Sequence, residues 1–258
     1  MFSVLHAAQS GIEVSNLWLN AIASNVANNQ TPGYGERLTA FSNGPNVVSR
    51  AAGRMVGSQT VQPELGYTAG AFMSQDVALF GTQMMSSSNP HDVAINGSGF
   101  FQVKTANGTV AYTRDGSLQE DGQGQLTLPG GSLLDPPVTV PPGQEWAIAP
   151  NGTVMAGPAG QPLKAIGKIS LALFANPEGL ISVGHNLYQA SLASGPAILA
   201  APGTQGAGTL EDGALNGSGV SLASQLVDMI VAQTAYSASA KVMSVQETLS
   251  RGLTQITT

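Results

Sequence analysis

The residues able to do chemistry in this chain are few, and their spacing argues against catalysis. His6, His91 and His185 stand far apart, and none has a carboxylate or second histidine at metal-ligand spacing. They read as surface or hydrogen-bonded histidines. Asp115, Glu120 and Asp121 form an acidic cluster, but Asp115 and Asp121 each precede a glycine, and Asp-Gly is turn chemistry before it is a paired-carboxylate hydrolase site. The segment Asp121-Gly122-Gln123-Gly124 could bind Ca²⁺ weakly, and a plain turn accounts for it more simply. Zero cysteines remove disulfides, zinc–thiolate sites and thiol catalysis together. There is no G-x-S-x-G elbow, no P-loop and no G-x-G-x-x-G run. No enzyme activity, cofactor, metal site or small-molecule substrate is expected.

Composition narrows the class further. Net charge is −6 with no basic cluster, which argues against nucleic acid. Charged residues are 9% of the chain, against roughly a quarter in an average soluble domain. The 32 glycines and 15 prolines follow no collagen period and read as turn punctuation. The first residues lack a basic n-region, and Ser10, Asn16, Asn20 and Asn25 break any apolar h-region, so no cleavable signal is expected. The uncharged run from 179 to 210 is too rich in Gly, Ser and Pro for a membrane helix.

Two nearly charge-free helical stretches bracket the chain. Residues 1–35 hold Glu13 and His6, and 213–258 hold only Asp228, Lys241, Glu247 and Arg251. Apolar positions recur by sevens: Leu5, Ile12, Leu19 and Val26 at the start, Leu222, Met229, Tyr236 and Met243 near the end. Ala8, Ser15 and Ile22 complete the first stripe, Leu226 joins the second, and Val227, Val231, Ala238, Val245 and Leu249 add another beside it. The opposite faces carry Ser, Asn, Gln, Thr and Ala where a solvated helix carries Lys and Glu. Such helices pack against more protein. The first is expected over about Ser3–Ala27, stopped by Asn28-Asn29 and Thr31-Pro32-Gly33, and the last from near Val220 to Leu253 with Ser221 as N-cap.

The middle reads as β. In the arm from 36 to 80, Val47, Val48, Val56, Val61, Leu65 and Leu79 are scattered among small polar residues, and 81–90 reads as a linker. Five Asn-Gly and three Asp-Gly pairs mark hairpins, with Phe100–Ala106 turning through Asn107-Gly108 and Glu145–Ala149 through Asn151-Gly152. About ten short antiparallel strands are expected between 92 and 192, as a meander or barrel, with Ile169, Leu171 and Leu173 facing one side. The expected class is α+β: paired N- and C-terminal coiled-coil-like helices with a long inserted antiparallel β domain. The domains are 1–35 with 213–258, an extended arm at 36–80, and a β-rich outer domain at 81–212.

Several ordered motifs then carry a resemblance. Ala23-Ser24-Asn25-Val26-Ala27-Asn28-Asn29-Gln30-Thr31-Pro32-Gly33-Tyr34 resembles the N-terminal signature of bacterial flagellar rod and hook proteins. Asp92-Val93-Ala94-Ile95-Asn96-Gly97-Ser98-Gly99-Phe100-Phe101 and Tyr112-Thr113-Arg114-Asp115-Gly116-Ser117 are similar to the central one. Gly184-His185-Asn186-Leu187-Tyr188, Pro202-Gly203, Gly206-Ala207-Gly208 and the Met229-Ile230, Gln233, Ala235-Tyr236 helix follow in order. Size and the Leu173–Leu180 segment are most like the distal-rod branch. Departures are Asn216 and Ser218-Gly219-Val220 before the last helix, and Thr234 and Ser237 where the family carries Arg and Glu.

The resemblance implies a structural subunit of the flagellar rod. It would self-assemble into a helical tube that transmits torque from motor to hook and forms part of the export channel. Implied partners are further copies of itself, proximal rod proteins, hook proteins and the surrounding P- and L-ring proteins. The implied location is the basal body, spanning the periplasm towards the outer membrane. The expected assembly interface is Leu5, Ile12, Leu19, Ile22 and Val26 with Leu222, Leu226, Met229, Tyr236 and Met243, and the family motif residues are Asn25, Asn28, Thr31, Pro32, Gly33 and Tyr34. Alternatives are a proximal-rod or hook-type paralogue, or a secreted oligomeric β-rich adhesin.

Overall fold

The computed structural model describes residues 2–44, 46–50, 55–56, 59–60, 65–68 and 70–256. Contacts divide the chain into two compact units, one of residues 1–26, 37–76 and 222–258, the other of 27–36 and 77–221. Among the described residues no helix is long and apolar enough to cross a membrane.

The first unit holds the two long helices, α1 (Phe2–Ala27) and α2 (Leu222–Ile256). Between them lie β1 (Gly35–Asn43), β2 (Asn46–Arg50), β3 (Met55–Val56), β4 (Gln59–Thr60), β5 (Leu65–Thr68) and β6 (Ala71–Phe80). These strands pair two by two, β1 with β6, β2 with β5 and β3 with β4, as a ribbon of nested hairpins. Val61, one of the scattered apolar positions of the arm, lies outside the described residues. Within this unit Ser10 Oγ accepts the Ala71 N–H at 3.2 Å, and Trp18 meets Phe41 edge-on at 5.8 Å.

The second unit contains β7 (Met84–Ser86), β8 (Val93–Asn96), β9 (Phe100–Lys104), β10 (Val110–Thr113), β11 (Gln119–Glu120), β12 (Leu126–Thr127), β13 (Leu133–Leu134) and β14 (Glu145–Ile148). It continues with β15 (Thr153–Gly157), β16 (Lys164–Lys168), β17 (Leu171–Leu173), β18 (Ile181–Gly184), β19 (Leu187–Gln189), β20 (Ile198–Ala200), β21 (Thr209–Asp212) and β22 (Ala214–Asn216). Twelve of these, β8 to β19, fall where about ten were expected. They do not form a simple meander. A nine-stranded antiparallel sheet runs β11-β12-β13-β9-β10-β19-β18, with β17 also on β9 and β20 on β17.

Successive residues of a strand point to opposite faces, and here both faces are covered. Phe101, Val103 and Ala111 enter the main core with Ile95, Leu118, Leu134, Trp146, Ile148, Val154 and Leu171. Phe100, Tyr112, Ala172, Leu180 and Tyr188 form a second core on the other side, with Phe80 and Phe174 against them. Alternation at Ile169-Leu171-Leu173 was therefore expected to leave one face out, whereas Ala172 between them is fully buried. Two Asn-Gly pairs turn hairpins as expected: Val110 pairs Lys104 around Gly108 (φ 77°), and Ile148 pairs Val154 around Gly152 (φ 81°). The Gly184–Leu187 turn has His185 and Asn186 at φ 52° and 60°, the signature of the hairpin turn that matches strand twist. The expected linker at 81–90 instead holds β7, which pairs β22. Its polar composition is that of a loop, and the hydrogen bonds to β22 override it.

Candidate assembly interface

The two helices are antiparallel neighbours. Gly11 abuts Ser239 so closely that a side-chain carbon at Gly11 would overlap the serine hydroxyl. Asn25 Nδ2 donates to Gln225 Oε1 at 3.0 Å. Gly11 and Asn25 are fourteen residues apart, as are Gln225 and Ser239, so two heptads of one helix run against two of the other. The buried residues of the two helices are Ala8, Ser15, Ala21, Ile22 and Asn25 on α1, and Gln225 and Ala232 on α2. Apart from Ile22 they are small or polar. Small residues let the backbones approach, and the Asn25 amide donates to the Gln225 amide where both are buried.

The expected interface residues separate by burial. Ile22 is buried in the seam; Ile12, Leu19, Val26, Met229 and Met243 are half-buried; Leu5, Leu222, Leu226 and Tyr236 are exposed. The outward side of α2 also shows Val227, Ile230, Val231, Val242, Val245 and Leu249, with Ile230 64% exposed. This helix is more apolar outside than inside. A helix that turned its large side chains inward would bury the Leu and Ile stripes. Sequence periodicity located both stripes and, through Ala8, Ser15 and Ile22, the buried side of α1, but it missed Gly11, Gln225 and Ser239, which carry no hydrophobic signal.

The family motif does local work. Asn25 Nδ2 also donates to the Arg37 carbonyl at 2.9 Å, and its Oδ1 accepts the Arg37 N–H at 2.8 Å, so one side chain ties α1 to α2 and to β1. Arg37 in turn pairs with Asp76 across the ribbon. Beyond the helix, Thr31 Oγ1 donates to Asn28 Oδ1 at 3.1 Å and closes the turn. Within the second unit the next residues are clamped. Asn186 Nδ2 donates to the Pro32 carbonyl at 2.6 Å, Gly33 N–H to the Asn216 carbonyl at 2.7 Å, and Ser218 Oγ to the Asn29 carbonyl at 2.5 Å. Gly33 has φ 66°, and a side chain there would overlap the backbone of Arg114 and Asp115. Tyr34 is half-buried between this clamp and β1.

Asn216 and Gly219, the two positions before α2 where the sequence differs from the pattern the resemblance implies, are each held by local geometry. Asn216 is fully buried; its Oδ1 accepts the Ile95 N–H at 2.8 Å and its Nδ2 donates to the Ile95 carbonyl at 2.9 Å. A carboxylate could do the first and not the second. Gly219, at φ 69°, lies against Gly81, where neither backbone leaves room for a side chain on the other.

The candidate chemical residues are absorbed by structure. Arg114 is 5% exposed, its guanidinium donating to the Gly81 and Gly97 carbonyls and lying over the Phe100 ring. Burial lowers its pKa to about 10, so it is still a cation at neutral pH. Asp115 Oδ1 accepts from both Ser117 N–H and Oγ, and Asp121 Oδ1 from the N–H groups of Gln123 and Gln125, which is turn bonding. His91 stacks on Trp146 at 4.2 Å. Among the described residues no three His, Asp or Glu converge as a metal site.

Burial raises the pKa of Asp115, and likewise that of Asp212, against the opposing hydrogen bonds from Ser117 and Ile148. A raised carboxyl pKa means that the folded state binds the proton more tightly than the unfolded chain. The stabilisation it gives is complete below the ordinary aspartate range and is lost as pH rises through the raised pKa. The urea midpoint of unfolding is therefore expected to fall as pH rises from about 4. Asp115→Asn, which keeps the Oδ1 acceptor, should flatten that slope; an unchanged slope in the variant overturns the assignment.

Comparison with known proteins agrees with this architecture. Residues 94–156 match the family model of the flagellar hook protein FlgE/F/G D1 domain, and residues 211–256 match that of the flagellar basal body rod FlgEFG protein C-terminal region. The chain is 34% identical to the flagellar basal-body rod protein FlgG of Buchnera aphidicola subsp. Schizaphis graminum, over 99% of this chain and 100% of the relative. It is 31% identical to FlgG of Caulobacter vibrioides over 98% of each chain, and 30% identical to the rod protein FlgF of Escherichia coli over 93% of each. The chain belongs to the flagellar basal-body rod and hook protein family, a family of structural proteins rather than enzymes, and within it is most like FlgG.

Proposed function

We propose that this chain is a wall subunit of the distal rod, assembled as a helical tube by the outward faces of α1 and α2 packing coiled-coil fashion on other copies. In this reading the tube carries torque from motor to hook and its bore is part of the export channel. Proximal rod and hook proteins meet its two ends, and the P- and L-rings surround it as it crosses the periplasm towards the outer membrane. The terminal helices form the assembly domain, and the β-rich region is the outer shell.

The observation that carries the reading is the inverted face of α2. Nine large apolar side chains, Leu222, Leu226, Val227, Ile230, Val231, Tyr236, Val242, Val245 and Leu249, are exposed on one helix. Removing their remaining area from water is worth on the order of 10 kcal/mol before the costs of association. The near absence of charge lets that face be buried without stranding an unpaired ion, which costs several kcal/mol. Contacts between different faces of identical subunits extend as a helix when the rotation between neighbours does not close a ring. Basal bodies purified from cells expressing a tagged copy are expected to contain the chain in multiple copies per particle. Basal bodies that lack it overturn the reading.

A further inference from the structure

The β unit carries a second unsatisfied surface, separate from the helices. Its main sheet has three free ends, β11, β18 and β20; β11 is two polar residues, Gln119-Glu120, and carries a carboxylate, while β18 and β20 are joined through β20-β17-β9-β10-β19-β18. On β20, Leu199 pairs Ala172 and Ile198 pairs Leu173; on β18, Ile181 pairs Gln189 and Ser182 pairs Tyr188. Neither edge has a strand on its outer side among the described residues. A sheet edge is a row of backbone donors and acceptors, and natural edges are blunted with charges, especially lysine. Here the reverse holds. No Asp, Glu, Lys or Arg occurs between Glu178 and Glu211. Ile181 and Val183 are exposed on one edge, Ile198 and Leu199 on the other, and Leu192 stands fully exposed between them in sequence.

We propose that β18 of one subunit pairs with β20 of a second copy of this chain, joining the β units head to tail. Three features select that occupant. Unpaired main-chain groups in a row are matched by another strand edge rather than by a helix face. An uncharged apolar edge asks for an equally uncharged apolar partner, and this chain presents one at the far end of the same sheet. The two edges are different strands, so the joint is heterologous and propagates as an open helix where its rotation does not close a ring, which is the geometry a rod requires. Five inter-strand steps of twist turn one edge by roughly 100° relative to the other, so repeated joints wind. The proposal deepens the assembly reading above and rests on it for the presence of neighbouring copies.

The chain has no cysteine, which makes thiol cross-linking unambiguous. Full-length protein carrying Val183→Cys and Leu199→Cys, concentrated under assembling conditions and treated with a short bismaleimide, is expected to give a ladder of dimer, trimer and higher species. Each single variant should stay monomeric on a denaturing gel. Pelleting of polymer is scored in parallel. Polymer without a ladder overturns the edge joint and leaves the helix-built tube standing. A dimer from Val183→Cys alone also overturns it, since that is like-with-like pairing. Absence of both polymer and ladder overturns both readings.

Discussion

Replacing Leu226 and Ile230 together by aspartate is expected to abolish assembly and motility while leaving the subunit folded. Both side chains point to solvent in the isolated subunit, at 50% and 64% exposure, so the substitution removes nothing from its core. Each change forfeits about 2 kcal/mol of apolar burial on assembly and puts a carboxylate where a neighbour would exclude water. Together they should weaken each subunit contact by more than about three orders of magnitude. Helix formation survives, because both positions are exposed and the buried seam residues Gln225 and Ala232 stay in place. Sedimentation of the variant, thermal unfolding and swimming in soft agar are the three readouts. A motile strain, or a polymer that still pellets, removes the outward face of α2 from the assembly mechanism.

The choice of those two positions shows what the sequence could and could not convey. Heptad spacing marked Leu19 and Met229 as seam residues, and both are half-buried in the subunit. Aspartate there would injure the helix pair as well as any interface, and Ile22→Asp would strike a residue 2% exposed in the seam itself. Periodicity finds apolar stripes, and it cannot say whether a stripe faces its own partner helix or another molecule. That is decided by which face allows the closer approach. Gly11 against Ser239 and Asn25 on Gln225 settle it, and none of the four is hydrophobic.

The β unit divides in the same way. Hairpins at Asn107-Gly108 and Asn151-Gly152 were legible because turn chemistry is local, with Gly supplying the positive φ. The branching of the sheet at β9, and the pairing of β7 with β22 across more than a hundred residues, were not. Long-range pairing is chosen by the backbone groups that remain after local bonds are made, and composition holds no record of it. The motif at 28–34 was legible as a helix stop. Its receptors, Asn186, Asn216 and Ser218, are a few polar residues that only the fold brings together.

Asn216 is the receptor whose loss should cost most. Its side-chain amide spans the Ile95 peptide, accepting from the N–H and donating to the C=O, and both residues are fully buried. Asn216→Ala leaves both groups of Ile95 without a partner where no water enters. At about 1–3 kcal/mol for each unsatisfied group, the penalty is roughly 2–6 kcal/mol. For a unit of this size that lowers Tm by about 5–15 °C. Asn216→Asp should do no better: one carboxylate oxygen can accept from the N–H, while the other meets the Ile95 carbonyl oxygen and repels it. Asn216 also links β22 to the chain at Gly33 through its own carbonyl, and that bond survives both substitutions, so the measured loss belongs to the side chain. Calorimetry of the two variants tests this directly, and a Tm within about 2 °C of the parent in Asn216→Ala would show that the buried amide is replaceable.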